Sequence, residues 1–271
     1  MTPRESCPDG KPPIRLLACD LDGTLLGPGD TGLETAKSVV EHCRSRGVAF
    51  TIATGRVFGA VEKYLRYLDL RTPVVTNGGA MVAALDGEPL MEKVIGPDTA
   101  ELVALELRAR GLPFYFIAGK DMVTEWMGSE TACYSASISF DIRVVPSVTD
   151  LRIAPTQIVV RMAPEQAPDL AAEFRSRWPQ VTVLLSLPHL IEFQAGGVSK
   201  ASALAYLAGT LGITKEEVLA VGDSLNDLDM LAWAGRSACV GNAHPEVTRR
   251  VDAVAEGLFS EGVLEIAKKL I

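Results

Sequence analysis

The sequence predicts an α/β protein with a doubly wound, Rossmann-like parallel-sheet core and an inserted α+β cap domain. Strand-like apolar segments alternate with helical patterns at both ends of the chain, which is typical of a parallel sheet covered by helices on both faces. In the middle this alternation is replaced by several strand-like segments and only two helical patterns. We therefore predict a disordered tail (1–13), a core domain (14–81 and 190–271) and an inserted cap domain (82–189).

The first 13 residues, MTPRESCPDGKPP, lack the apolar stretch of a signal peptide and predict a disordered tail. The five cysteines form no C-x-x-C pair, and their odd number argues against a disulfide framework, so we expect a cytoplasmic protein. A net charge of -8 gives no general attraction to nucleic acid or an anionic membrane, and we expect neither as a partner. The sequence leaves the oligomeric state open.

The first elements of the core follow in order along residues 14–79. IRLLAC (14–19) is a buried strand by its apolar run. From residue 32 a helix is predicted by apolar residues at helical spacing, with Gly47 ending it; they are Leu33, Ala36, Val40 and Cys43. A strand, a helix and a strand that ends in a turn follow; these are VAFTIAT (48–54), RVFGAVEKYLRYL (56–68) and TPVVTNGG (72–79).

The same alternation returns in the last 70 residues of the chain. Thr214 and Glu217 form a capping-box pattern before the strand VLAVGD. Helices are predicted at 199–212, 224–235 and 260–271, and strands at 237–242 and 251–256.

The inserted segment mixes strands with two helices. Its strand-like stretches are 87–96, 113–128, 141–146 and 156–162, and its helical stretches are 98–111 and 165–178. This pattern predicts an α+β unit of its own.

Four aspartates follow predicted core strands: Asp20, Asp22, Asp223 and Asp227. Because the carboxyl ends of parallel strands meet at one edge of a sheet, we expect these carboxylates to lie close together. Carboxylates so crowded and buried need a positive partner. An all-oxygen ligand set suits Mg²⁺, which takes one or two carboxylates alongside a phosphate and water.

Further groups at this edge are suited to an anion. Thr54 and Gly55 follow a strand and precede a helix, where a hydroxyl and free backbone amides can bind phosphate. Lys200 begins a predicted helix after GGVS and adds a compact positive charge. A metal, an ammonium and amides around a carboxylate predict a phosphoryl-transfer site.

The ordered motifs DLDGT, ATGR, GVSK and GDSLND resemble the four motifs of the haloacid dehalogenase-like hydrolases. The insert between TNGG and GGVSK resembles the large α/β cap of the Cof-type sugar-phosphate phosphatases within that superfamily. Three small departures concern loop geometry and remove no catalytic group: Ala201 after the lysine, the TNGG turn and Val240 in CVGNA.

This resemblance implies roles for the acidic residues. Asp20 would attack phosphorus and become an aspartyl-phosphate, and Asp22 would act as the general acid and then the general base. Mg²⁺ would be held by the Asp20 carboxylate, the Asp22 backbone carbonyl and the Asp223 carboxylate, with Asp227 supporting the metal shell.

It also implies roles for the phosphate-binding residues. Thr54, Gly55 and Asn226 would bind phosphoryl oxygens, and Lys200 would offset the charge on Asp20 and the phosphoryl group. The resulting expectation is a Mg²⁺-dependent phosphatase acting on a small phosphorylated metabolite, with sugar phosphates as the best guess. A phosphomutase of the same superfamily and a noncatalytic phosphometabolite sensor are the alternatives.

For several other residues the sequence leaves the role open. Arg56 and Asn77 follow strand ends and either contact the substrate or serve local structure. Asp229 is expected to be a solvated helix residue. The histidines match no ligand or triad spacing, and the aromatic residues of the insert either line a cap pocket or fill its core.

Overall fold

The computed structural model describes residues 12–138 and 140–271. The strands, in chain order, are β1 Leu16–Cys19, β2 Ala49–Ile52, β3 Val74–Thr76, β4 Met81–Ala83, β5 Pro89–Glu92, β6 Phe114–Ala118, β7 Asp121–Thr124, β8 Arg143–Val144, β9 Gln157–Arg161, β10 Val181–Leu187, β11 Leu190–Ala195, β12 Val218–Gly222, β13 Arg236–Cys239 and β14 Ala253–Val254. The helices are α1 Leu33–Ser45, α2 Phe58–Tyr67, α3 Pro97–Ala109, α4 Ser129–Ile138, α5 Ala167–Arg177, α6 Lys200–Thr210, α7 Leu228–Trp233, α8 Pro245–Thr248 and α9 Phe259–Leu270.

The core sheet is parallel and has the order β14-β13-β12-β1-β2 within the described residues. A single parallel bridge between Ala53 and Val75 joins it to β3, which continues into the antiparallel order β3-β4-β5. The central position of β1 explains its composition, because a strand with neighbours on both sides and helices on both faces is apolar throughout.

Both faces of the core sheet are covered. On one face Leu17 and Cys19 of β1 pack with apolar residues of α1, α2 and α9. On the other face Leu16 and Ala18 pack with apolar residues of α6 and α7. Successive residues of a strand point to opposite faces, so the two clusters follow from the apolar run itself. The predicted doubly wound core is confirmed.

A second sheet, with the order β10-β11-β9-β6-β7-β8, is built largely from the inserted segment. One of its faces is covered by α3 and α5 through an apolar cluster that includes Phe114, Phe174 and Phe193. Its other face carries a smaller cluster in which Tyr115 and Val159 meet α4 and the start of α2. The sheet is therefore enclosed by its own helices on one side and lies against the core domain on the other.

Strand pairing differs from the predicted boundaries of the insert at both ends. β4 and β5, within or next to the predicted cap, pair with β3 beside the core sheet. β11, in the predicted core, pairs with β9 and β10 in the second sheet. The division at residues 82 and 189 remains a prediction, and the pairing favours a cap that begins after β5 and ends after β11.

Some local predictions differ from the structure. The hairpin β10–β11 and helix α4 were not predicted, α2 begins at Phe58 rather than Arg56, and the short helix α8 lies between the strands predicted at 237–242 and 251–256. Residues 1–11 of the predicted tail, with Cys7, lie outside the described residues. Pro12 is held in place, because its carbonyl accepts a hydrogen bond from Arg236 (2.8 Å).

Within residues 12–138 and 140–271, no helix is both long and apolar enough to cross a bilayer.

Candidate active site

The carboxyl ends of the central strands bring the predicted residues together. Asp20 directly follows β1, and its backbone amide donates to the carbonyl of Val221 in β12 (2.9 Å). Asp223 directly follows β12, and Thr54 lies two residues beyond β2. Since β1 pairs in register with both β2 and β12, these residues meet at one edge of the sheet. We call Asp20, Lys200, Asp223 and Asp227 the core edge.

Lys200 joins two of these carboxylates. Its Nζ lies 2.6 Å from Asp20 Oδ1 and 2.6 Å from Asp227 Oδ1, and its side chain is only 3% exposed. The residue is the first of α6, and a capping box between Ser199 and Ser202 fixes the start of that helix. Burial lowers the pKa of Lys200, but the neighbouring carboxylates raise it well above its usual value. Lys200 therefore carries a permanent charge beside Asp20.

Asp227 also organises the loop that carries Asp223. Its Oδ2 accepts hydrogen bonds from the backbone amides of Asp223 and Ser224, each at 3.0 Å. The Asp223 carboxylate in turn accepts from the Thr24 hydroxyl (2.5 Å) and the Ser224 hydroxyl (2.8 Å). These bonds fix both oxygens of Asp223 and one oxygen of Asp227.

Gly23 shows how closely the two acidic loops approach each other. Its φ of +89° lies in the left-handed region, and a Cβ there would come 2.6 Å from Asp223 Oδ2. The glycine of DLDGT is therefore required both by backbone conformation and by the space that Asp223 occupies.

The core edge has a donor set that fits a hard divalent cation. Oxygens of Asp20, Asp223 and Asp227 all lie within 4.8 Å of one another, and these residues are buried. Burial and the charge of Asp227 raise the pKa of Asp20 despite Lys200, and burial raises that of Asp223. Three carboxylates thus outnumber the single ammonium in this buried place, and a Mg²⁺ ion would balance the excess of acidic groups.

Asp22 is held differently from the other aspartates. Its carboxylate receives two hydrogen bonds from Arg56, the Nε bond being 2.8 Å long, and its side chain is 52% exposed. Arg56 also lies near Asp30, with Nη2 3.7 Å from Oδ1. Asp22 thus lies at the mouth of the site and contacts Arg56, which has Asp30 as a second acidic neighbour.

A cavity of about 460 Å³ opens above the core edge. Its floor is formed by the core residues that the motifs identified, namely Asp20, Asp22, Thr54, Gly55, Arg56, Ser224 and Asn226. Its roof comes from the second sheet and from α4. This volume is that of a small-molecule site and is far larger than a phosphoryl group needs.

The predicted phosphate-binding residues line the floor of the cavity. Thr54 is buried, and its hydroxyl accepts a hydrogen bond from the Arg56 amide (3.1 Å). A Cβ on Gly55 would meet nothing within 4 Å, so open space lies beside its backbone. Asn226 is exposed and lies in the turn between β12 and α7. The predicted groups for an anion are therefore on one surface.

The structure distinguishes the residues whose roles the sequence left open. Arg56 lines the cavity, whereas Asn77 is fully buried and donates through Nδ2 to Thr156 (2.9 Å), which joins its turn to β9. Asp229 is not simply solvated, because its Oδ2 accepts from the Ala201 amide (3.2 Å) at the start of α6. His189 and Tyr134 line the cavity, which the sequence did not predict for His189.

The roof carries polar residues that sequence reasoning missed. On β9 and β11 the residues Gln157, Arg161, Glu192 and Gln194 lie at every second or fourth position and share one side of the sheet. Their neighbours Ile158 and Phe193 point the other way, into the helix-covered cluster. We call this side of the second sheet, towards the core, the cap face. The alternation in QIVVR and LIEFQ is the signal that could have identified it.

Comparisons with known proteins agree with this site. The sequence profile of the haloacid dehalogenase-like hydrolases matches residues 17–266. The chain is 27% identical to stress response protein YhaX of Bacillus subtilis, over 94% of this chain and 92% of that protein. It is 29% identical to the HMP-PP phosphatase of Enterobacter sp., over 86% of each chain.

The fold is also similar to solved structures. A haloacid dehalogenase-like hydrolase from B. subtilis superimposes with a TM-score of 0.84 at 25% identity, covering 95% of this chain and all of the other (100%). The family match spans the segments on both sides of the insert that supply the core edge. The chain therefore belongs to the haloacid dehalogenase-like hydrolases, and the prediction that it is a phosphatase is confirmed.

Proposed function

We propose that this protein is a cytoplasmic, Mg²⁺-dependent phosphatase that hydrolyses a small phosphorylated metabolite through an aspartyl-phosphate. The observation that carries the proposal is the buried contact of Lys200 with Asp20 and Asp227, directly beneath the floor of a small-molecule cavity that Asp20 lines. An attacking carboxylate, a fixed positive charge and acceptors for a metal are the groups that phosphoryl transfer requires.

In the first half of the reaction an Asp20 oxygen forms a bond to phosphorus as the ester P–O bond breaks. Asp22, which lines the same cavity, gives its proton to the departing alcohol oxygen. To donate this proton, Asp22 must break its contact with Arg56. Asp30 is the second acidic group near Arg56 and could bind it during this step.

In the second half Asp22 takes a proton from a water molecule as that water attacks phosphorus. The bond between phosphorus and Asp20 breaks, and inorganic phosphate leaves with the carboxylate of Asp20 restored. Throughout, Lys200 keeps its charge and offsets that of Asp20 and the phosphoryl oxygens. Thr54, Gly55 and Asn226 line the cavity and would orient those oxygens.

Asp20 and Asp223, with the backbone carbonyl of Asp22, would hold Mg²⁺, and Asp227 would support them. When bound, the ion would neutralise charge on the transferring phosphoryl group. The donor set at the core edge supports this assignment, since it is all oxygen and carries excess negative charge.

The substrate is proposed to be a small metabolite, with sugar phosphates as the first class to test, as the resemblance implies. The described cysteines are free, which supports a reducing compartment. Nucleic acid and membranes are not proposed as partners.

Release of inorganic phosphate from a set of phosphorylated metabolites and a generic aryl phosphate tests the proposal, with Mg²⁺ and with EDTA. Turnover is expected with Mg²⁺ only. A sugar bisphosphate included in the set separates hydrolysis from phosphate transfer to a second sugar hydroxyl. Binding without turnover of any ester would instead indicate a sensor.

Asp20→Asn removes the attacking carboxylate and is expected to lower kcat by a factor of about 10⁴ or more. The variant should remain folded, since Lys200 keeps its contact with Asp227. Asp121→Asn, at an exposed position on β7, is the matched control and should keep full activity. A folded, active Asp20→Asn protein would rule out the proposed nucleophile.

A further inference from the structure

Arg161 stands out among the residues that line the cavity. Its side chain belongs to the cap face, opposite the core edge, and its guanidinium lies 4.7 Å from the centre of the Tyr134 ring. Among the residues that the structure describes, it makes no ion pair and no side-chain hydrogen bond. This is a charged group held in place by an aromatic ring and turned towards a space that a ligand would fill.

The other cationic side chain in the lining is already engaged. Arg56 is bound to Asp22 and lies near Asp30, while Lys200 is enclosed beneath the floor between Asp20 and Asp227. Of the described lining residues, Arg161 is thus the cation whose charge is not already matched.

Glu192 does not supply the missing partner. Its two oxygens accept from Gln157 Nε2 (2.5 Å) and from the Ser186 hydroxyl (2.7 Å). In the ladder Glu192 lies opposite Val159 and Arg161 lies opposite Leu190, so the two residues are two ladder pairs apart on the same side of the sheet. The Glu192 carboxylate is thus bound by neutral donors on the neighbouring strands β9 and β10, while the guanidinium of Arg161 faces the cavity.

The surroundings of Arg161 are largely apolar. Tyr134, Ile138 and Leu190 line the same part of the cavity. A ligand that fills this space removes water from the guanidinium, and a buried charge without a partner is costly. A neutral leaving group would incur that cost, whereas one that ends in an anion would form charge-assisted hydrogen bonds with the planar guanidinium.

We propose that Arg161 determines specificity by binding a second anionic group, a carboxylate or a second phosphoryl group, at the end of the substrate remote from the scissile phosphate. This inference rests on the proposed function and narrows its substrate class. Arg161 lies four residues along β9 from Gln157, whose ladder partner Gln194 donates to Asn77 of the core domain. At about 3.4 Å per residue the Gln157 and Arg161 positions are roughly 14 Å apart along β9, so Arg161 lies away from the point where the cap face contacts the core domain.

A series of synthetic esters tests the proposal. Phosphoric monoesters of linear alcohols that end in a carboxylate are compared with esters of the same length that end in a hydroxyl group, in Mg²⁺. At the optimal length kcat/KM should favour the acid by a factor of about 10 to 100. Bisphosphates of the same diols identify the source of the anion: the better of acid and bisphosphate is the group that Arg161 binds.

Variants then assign the preference to Arg161. R161Q should bring the ratio of the two kcat/KM values close to 1, and R161K should restore part of it. R143Q removes an arginine from an exposed strand of the same sheet that does not line the cavity, and it should leave the ratio unchanged.

The outcomes distinguish the role of Arg161 from the proposed phosphatase activity. Equal kcat/KM values for the esters that end in a hydroxyl, a carboxylate and a second phosphate in the unmodified protein would overturn the role of Arg161 and leave the proposed phosphatase intact. An R161Q protein that keeps the full preference would do the same. A protein that hydrolyses none of these esters, nor an aryl phosphate, would overturn both.

Discussion

At the core edge each charged group has a partner: Lys200 contacts two carboxylates, and Asp223 is held by hydroxyl groups. On the cap face, within residues 12–138 and 140–271, the guanidinium of Arg161 has no charged partner, and Oε1 of Gln157 is buried without a hydrogen-bond partner. The first region is complete before a substrate arrives, apart from the charge that a metal would bring. The second is incomplete, which is expected of a surface that a variable leaving group must complete.

The comparison is tested most strongly by removing a cation from each region. Lys200→Met leaves Asp20 and Asp227 buried without their partner and should lower the free energy of unfolding by about 3–5 kcal/mol. Arg161→Met loses only its contact with the Tyr134 ring, worth about 0.5–1 kcal/mol. Urea unfolding of both variants in EDTA measures the difference, and equal losses would show that the two regions do not differ in this way.

Two glycines with positive φ give a second matched pair. Gly23→Ala adds backbone strain and forces a Cβ against the Asp223 carboxylate, while Gly119, in the turn between β6 and β7, has open space around its Cβ position. Through backbone strain alone, Gly23→Ala and Gly119→Ala should each lower the free energy of unfolding by about 1–2 kcal/mol. Gly23→Ala should cost about 1 kcal/mol more and also weaken Mg²⁺-dependent turnover, as unfolding and phosphate-release assays would show. Identical effects would mean that the loops can move apart freely.

The pH dependence of stability should reveal the buried acid of the cap face. Burial raises the pKa of Glu192 above its ordinary 4.5, although Ser186, Lys200 and Gln157 act in the opposite direction. The folded state therefore holds this proton to higher pH than the unfolded chain does. The associated stability is fully present below pH 4.5 and is lost as the pH rises through the folded pKa.

The Glu192→Gln side chain cannot lose a proton. The Tm of this variant minus that of the unmodified protein should therefore increase as the pH rises from about 4.5 towards 8. Thermal unfolding of both proteins across that range measures the gap. A gap that is constant or that narrows with rising pH would contradict the assignment.

The smallest effect concerns thiol reactivity. Burial raises the pKa of Cys43 in the core to about 12, whereas Cys133 on α4 is exposed. The thiolate is the reactive form, so alkylation near pH 8 should label Cys133 and spare Cys43 until the protein unfolds. Peptide mapping by mass spectrometry reads both sites in one sample, and early labelling of Cys43 would show that the core opens locally.

Much of the core edge could be predicted because topology restricts it. A parallel sheet places the carboxyl ends of its strands together, so Asp20, Thr54 and Asp223 had to meet once their strands were recognised. Lys200 could be placed in the same way, because it begins a helix that packs on the same sheet. The double role of Asp227 was not predictable, since it depends on which way two carboxylate oxygens point.

The cap face could not be predicted to the same depth. In Gln157–Arg161 and Leu190–Ala195 the alternation shows which residues share a side, but not which side meets the core domain. The hairpin β10–β11 was also missed, because its two apolar runs are separated only by the short Pro188–His189 turn. With β11 assigned to the core domain, the polar residues of the roof could not be brought together from sequence alone.

The dual attachment of Asp227 has a consequence for how such a protein could change its substrate. One oxygen anchors the ammonium of Lys200 and the other anchors the 223–224 loop, so neither can be displaced without the other. The distance between the Lys200 ammonium and the 223–224 loop should therefore not depend on which molecule enters the cavity. New substrate preferences should then arise through replacements on β9, β11 and α4, while the chemistry beneath is inherited unchanged.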